Sequence, residues 1–276
     1  MTARMSANAS SSPVLSLQDV SIGFDKGNVL DGVSFSVAPT ETKVLVGESG
    51  SGKTLILKLA AGLIQPDSGK IDMLGHELDL MSEKELLAFR RKIGFVFQEG
   101  ALFDSLTVAD NVAYCLREER VPEEEIGPRV EESLRFVEME DTLEKLPSEL
   151  SGGMRRRVSI ARALVTRPKV VLYDSPTAGL DPVTAQTIIT LILRLRDTQG
   201  VTSVLATHRL QDAFGLASYE FDGSSGRVVH VSGNGTSAAA RGATNLVVLR
   251  AGKVYFEGSP QELAESSDAY LRKFLV

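Results

Sequence analysis

A chain of 276 residues with 43% hydrophobic content suits one large α/β domain or two small ones and excludes a disordered protein. A net charge of −6 supplies no global basic field, which argues against a nucleic-acid partner. The single cysteine, Cys115, excludes an internal disulfide and fits a reducing compartment.

The first residues, Met1 to Pro13, are rich in Ser, Ala and Asn and lack an apolar signal core, and they read as a disordered lead-in. No apolar run approaches the length needed to span a bilayer. The expectation is a cytosolic protein whose membrane role, if any, comes through a partner. Val14 to Val37 carries short alternating segments that suggest an antiparallel sheet, with Phe24 in a turn between them.

Lys43-Val44-Leu45-Val46 reads as a buried strand and Leu55 to Ala61 as a helix, with Gly62 placed to end it. Between them lies Gly47-Glu48-Ser49-Gly50-Ser51-Gly52-Lys53-Thr54, which fits the phosphate-loop pattern G-x-x-x-x-G-K-[ST]. Glycines let consecutive N–H groups curl around one anion, and the helix N-terminus adds its partial positive charge. Lys53 would reach the β- and γ-phosphates, and the Thr54 hydroxyl would take one Mg²⁺ position.

Lys70 to Leu74 adds a short strand, and Ser82 with Glu85 forms a capping box for a helix through Phe89. Ile93 to Gln98 is a buried strand ending at a polar residue. From Thr107 to Leu146 the sequence turns helical, with Ile126, Val130, Leu134 and Val137 at helical spacing. This reads as a helical subdomain, about 100–165, inserted into the core. Val170 to Tyr173 is an apolar strand ending at Asp174, and Val201 to Ala206 one ending at Thr207-His208. The Gly/Ser-rich stretch 218–244 breaks the pattern and reads as a surface excursion, with Arg227 to Val231 the likeliest hidden strand. A hairpin over Leu246 to Phe256, a helix opened by Pro260 and a tail, 264–276, complete the chain.

Gln98, Asp174 and His208 each end an apolar strand, so a parallel sheet places them at the edge that carries the phosphate loop. Asp174 suits a Mg²⁺-holding acid, Gln98 can reach metal and attacking water, and His208 can contact the γ-phosphate. Ser151-Gly152-Gly153 opens a helix and is a second anion site. The inserted helices separate it from the first loop, so the natural arrangement is a head-to-tail two-fold dimer in which each Ser-Gly-Gly caps the other chain's γ-phosphate.

These residues resemble the ATP-binding cassette (ABC) ATPases. Gly47–Thr54 match the phosphate loop, Gln98 the Q-loop, Leu150-Ser151-Gly152-Gly153 the signature, Asp174 the Walker B acid, Ala178-Gly179-Leu180-Asp181 the D-loop and His208 the switch histidine. Phe24 matches the aromatic that stacks on adenine. The resemblance covers 14–263. It implies an α/β fold, a RecA-like core with an antiparallel β subdomain and a helical subdomain, and ATP and Mg²⁺ as cofactors. Met154 after the signature and the run Phe97 to Val108 look like the Mla-type phospholipid transport ATPases. That likeness implies an integral-membrane permease and an MCE-type lipid-binding protein as partners, and a place on the cytoplasmic face of the inner membrane. It leaves open an ABC ATPase for another cargo. Soluble ABC proteins of DNA repair or ribosomes carry a coiled coil or two cassettes, and neither is present. Two residues depart from the family pattern: Leu55 replaces a hydroxyl residue, and Ser175 stands where the catalytic Glu belongs. A serine orients water without acting as a carboxylate base. The expectation is a slow ATPase or an ATP-dependent clamp, with Glu99 a conceivable substitute base or a plain loop carboxylate.

Overall fold

A computed structural model describes residues 12–24, 27–231 and 243–273. The lead-in 1–11 and the second half of the Gly/Ser-rich stretch lie outside the described residues.

The chain opens with two long strands, β1 (Leu15–Phe24) and β2 (Gly27–Val37), then crosses to β3 (Thr42–Gly47) and α1 (Lys53–Ala60). Next come β4 (Ser68–Met73), β5 (His76–Glu77) and α2 (Glu83–Arg90). Ser82 and Glu85 form the capping box expected for α2. Strand β6 (Ile93–Val96) leads into α3 (Val108–Glu118), α4 (Glu123–Phe136) and α5 (Gly152–Leu164). The chain then runs through β7 (Val170–Asp174), α6 (Pro182–Gln199), β8 (Thr202–Thr207) and α7 (Leu210–Ser218). It ends with β9 (Tyr219–Asp222), β10 (Arg227–His230), β11 (Thr244–Arg250), β12 (Lys253–Gly258), α8 (Pro260–Glu265) and α9 (Ala269–Arg272).

Strands β2-β1-β4-β5 form an antiparallel sheet, and β12-β11-β3-β8-β7-β6 a six-stranded sheet that is parallel except for β12. The apolar runs of β3, β7 and β8 follow from burial on both faces. Side chains alternate across a strand. Val44, Val46, Val171, Tyr173 and Leu205 therefore fall in one core cluster, and Leu45, Leu172, Val204 and Ala206 in the other. The first cluster extends into α3, α4 and α5, where Ile126, Val130, Leu134 and Val137 are all buried.

Register sets the site. Val46 pairs with Thr207, Asp174 with Ala206 and Val96 with Tyr173, so the strands β3, β8, β7 and β6 end at one edge.

Two expectations need correction. The stretch 218–244 is not all loop: β9 and β10 make an antiparallel hairpin, β10 falling where Arg227 to Val231 is the candidate strand, and Phe221 and Val228 pack against the core. The anchor is the buried pair Arg196–Asp197 near the end of α6, 2.7 Å apart. Arg196 donates to the carbonyls of Leu216 at 2.7 Å and Tyr219 at 3.1 Å, and Asp197 accepts from the Phe221 N–H at 2.7 Å. These bonds go largely to backbone, which composition does not reveal. Nor is 264–276 a simple tail, because Tyr270 and Leu271 of α9 are buried in the same core.

Candidate functional site

The phosphate loop is shaped by its glycines. Gly50 and Gly52 adopt φ of +80° and +98°, a region that side chains rarely tolerate. A Cβ on Gly47 would meet Ser51 Oγ at 2.6 Å and the Leu249 carbonyl at 2.7 Å. Gly52 caps α1 without any side-chain hydrogen bond, which leaves the first N–H groups of that helix available to an anion. The Lys53 ammonium folds back over the loop and donates to the carbonyls of Gly47 and Glu48, both at 2.8 Å. Burial pushes its pKa below the usual lysine range, and Asp174 opposes that shift. An arriving phosphate would supply the missing counter-charge.

Opposite the loop, Thr54 Oγ1 donates to Asp174 Oδ1 at 3.0 Å. Ser175 Oγ donates to the same oxygen at 3.4 Å. Ser175 holds a left-handed backbone, φ +47°, and its N–H donates to the Ala206 carbonyl at 2.8 Å. The residue after Asp174 is thus pinned to β8 at the sheet edge. Phe24, 62% exposed, stands at the rim of a cleft of about 710 Å³. The cleft is lined by Ser49, Gly50, Ser51, Gly52, Lys53 and Thr54, together with Gln98, Ser175 and His208.

The donor chemistry fits Mg²⁺. A hydroxyl and a carboxylate present hard oxygens side by side at 3.0 Å, and Mg²⁺ takes few protein ligands and completes its shell with phosphate and water. Among the described residues no group of three or more His, Cys, Asp and Glu is placed to hold a metal alone.

Not every expected residue enters the cleft. Ser151 caps α5, its Oγ accepting from the Met154 N–H at 3.2 Å, and Gly152 and Gly153 form the first turn of that helix. Asp181 caps α6, accepting from the N–H groups of Val183 and Thr184 at 3.0 Å and from the Thr184 hydroxyl at 2.5 Å. A Cβ on Gly153 would overlap Thr184 Cγ2, so the signature packs directly on the first turn of α6, which Asp181 of the D-loop caps. Within one chain they form a surface beside the cleft.

The run Arg155-Arg156-Arg157 continues the signature helix, and its partners within the chain are backbone carbonyls. Arg155 donates to Leu150 at 2.6 Å, Arg156 to Phe97 at 3.0 Å and Arg157 to Glu138 at 3.1 Å. Arg156 is buried beside the base of the Q-loop. Burial lowers its pKa, against the attraction of Glu99 and Asp174. Its signal was the pattern of the α5 helix, which turns this arginine inward. Glu99 itself is exposed.

Comparison with known proteins adds the family. The model described as "ABC transporter" matches residues 30–178. The methionine import ATP-binding protein MetN of Carboxydothermus hydrogenoformans is 41% identical over 68% of this chain, which spans 56% of that protein. The intermembrane phospholipid transport system ATP-binding protein MlaF of Escherichia coli is 32% identical over 95% of this chain and 88% of its own length. Among solved structures, the dimeric post-hydrolysis cassette MJ0796 bound to ADP and Pi superposes with a TM-score of 0.73 at 28% identity, over 89% of this chain and 98% of that one. Fold, cleft and relatives agree: the chain belongs to the ABC transporter family as an ATP-binding cassette, the family's ATPase domain, whose nucleotide is ATP and whose usual metal is Mg²⁺.

Proposed function

We propose that this cassette is the ATPase subunit of a phospholipid transporter and acts as an ATP-sandwich dimer. It would work beneath an integral-membrane permease, with an MCE-type lipid-binding protein in the complex, on the cytoplasmic face of the membrane. The observation that carries the reading is end-to-end correspondence with the phospholipid transport protein MlaF: 95% of this chain aligns with 88% of that one. MetN is more identical over a shorter stretch and is much longer than this chain. That identity favours the second reading, amino-acid import.

Bound Mg²⁺ would stabilise the charge that develops on the transferring phosphoryl group. The protein's part is positional. Thr54 and Asp174 hold the metal side, Lys53 and the loop N–H groups hold the phosphates, and Gln98, Ser175 and His208 face the attacking water and γ-phosphate. Ser151, Gly152 and Gly153 of the second copy would cap that phosphate, with Asp181 bracing the junction.

Among the described residues no helix is long and apolar enough to cross a membrane, so cargo contact falls to the permease. A groove of about 530 Å³ beside the Q-loop suits its docking helix, with Leu87, Phe103 and Tyr114 exposed along it. Buried Asn111 shapes that wall, accepting from the Phe103 N–H at 2.8 Å and donating to the Phe103, Leu106 and Thr107 carbonyls.

The test is to purify the complex formed by the full chain, identify its membrane subunit and measure phosphate release, with Lys53→Ala as the inactive control. A permease with an MCE-type protein, and turnover raised by phospholipid, is expected. Stimulation by methionine instead would overturn the lipid reading and leave the ATPase intact.

A further inference from the structure

Two loops bring Ser175 and His208 to the wall of the cleft. One runs from Ser175 to Asp181, between β7 and α6; the other starts at Thr207, the last residue of β8, and carries His208 and Arg209 into α7. No main-chain ladder spans them beyond the Ser175–Ala206 bond. What joins them is a carboxylate from the first turn of α7.

Asp212 is 3% exposed. Its Oδ2 accepts from the Thr177 hydroxyl at 2.6 Å and from the Thr207 hydroxyl at 2.8 Å. Its Oδ1 lies 3.7 Å from Arg209 Nε. The circuit closes twice: the Arg209 N–H donates to Thr207 Oγ1 at 3.0 Å, and an Arg209 guanidinium N–H donates to the Thr177 carbonyl at 3.4 Å. One buried oxygen therefore holds a hydroxyl from each loop, and the residue next to His208 clamps the outside.

We propose that Asp212 is a positioning residue for ATP hydrolysis: it locks the loop after Asp174-Ser175 to the loop of His208, so that both keep one spacing at the γ-phosphate. This rests on the proposed role of His208. Asp212 itself lines neither the phosphate loop nor the cleft. Losing it frees two loops while leaving nucleotide binding in place. In a buried network the members act together, so their effects are not additive.

The experiment uses the full chain with Asp212→Asn and Thr177→Val, and Thr177→Ser as the conservative rescue. Nucleotide affinity with Mg²⁺ is measured first; a wild type that binds no ATP would refute the ATPase reading itself. Amide hydrogen exchange is then followed over 175–181 and 207–212. We expect Asp212→Asn and Thr177→Val to raise exchange in both segments while ATP affinity stays within about two-fold, and Thr177→Ser to match wild type. In steady-state turnover kcat should fall about ten-fold with KM nearly unchanged. In a His208→Ala background, the same substitutions should cost less than about two-fold more. Exchange rising in one segment only, or an equal proportional loss of kcat with and without His208, would overturn the proposal.

Discussion

Thr54 and Asp174, 120 residues apart in the chain, meet at 3.0 Å, the hydroxyl of the first donating to the carboxylate of the second. One residue belongs to the first turn of α1, the other ends β7, and a parallel sheet brings the two to one edge. Each oxygen alone is ordinary; side by side they would offer two neighbouring positions of an octahedral Mg²⁺ shell.

Replacing the hydroxyl by a methyl of the same shape, Thr54→Val, should therefore remove the metal-dependent part of nucleotide affinity. Calorimetric titration with ATP should show affinity reduced about ten-fold or more with Mg²⁺ present and little change with chelator, since the proposed metal ligand and its hydrogen bond to Asp174 would be lost together. An equal effect in both conditions would place the metal elsewhere.

Ser175→Glu should accelerate hydrolysis. The position is fixed by the bond from its N–H to Ala206 at 2.8 Å and by φ +47°, so a longer carboxylate would leave the backbone at the same point of the sheet edge. Glutamate polarises water as well as orienting it, and a gain of about ten-fold in steady-state phosphate release is expected, below the full general-base effect. Turnover equal to or lower than wild type, with ATP binding kept, would show that another group is the base, and Glu99→Gln would be assayed next.

Ser151→Asp should block ATP-driven dimerisation without unfolding the chain. Asp serves as well as Ser at the cap of α5, where Ser151 accepts from the Met154 N–H, so helix stability is retained. The added negative charge would face the γ-phosphate of the second copy. Size-exclusion chromatography in ATP without hydrolysis should give a monomer for the variant and a dimer for the Ser151 protein. A variant dimer as stable as wild type would contradict the trans site.

Gly153→Ala should destabilise the junction of the signature and α6. Its Cβ would overlap Thr184 Cγ2, and Thr184 is held in place by Asp181 at 2.5 Å. Thermal unfolding should report a loss of about 1–3 kcal/mol, typical of overpacking. Adding Thr184→Ala should recover the part due to the overlap; an additive further loss would show that Gly153 is needed for another reason.

Much of this was legible from the chain itself. The phosphate loop, the apolar strands that lead to Gln98, Asp174 and His208 (β6 ending at Val96, two residues before Gln98), and the capping box of α2 are local patterns, each confined to one element and its ends. Covering both faces of a parallel sheet forces apolar runs, so the runs announce the sheet, and their ends announce its edge. Tertiary structure alone decided the rest. Strand β9, which pairs with the expected strand at β10, reads as loop because its anchors are backbone bonds to Arg196 and Asp197 on α6. The glycine at 153 matters because of Thr184, the inward turn of Arg156 because of the Phe97 carbonyl, and Asp212 because two loops converge on it. A sequence states which groups each residue carries; burial and convergence from distant segments determine which of those groups find a partner, and hence which of them do chemistry.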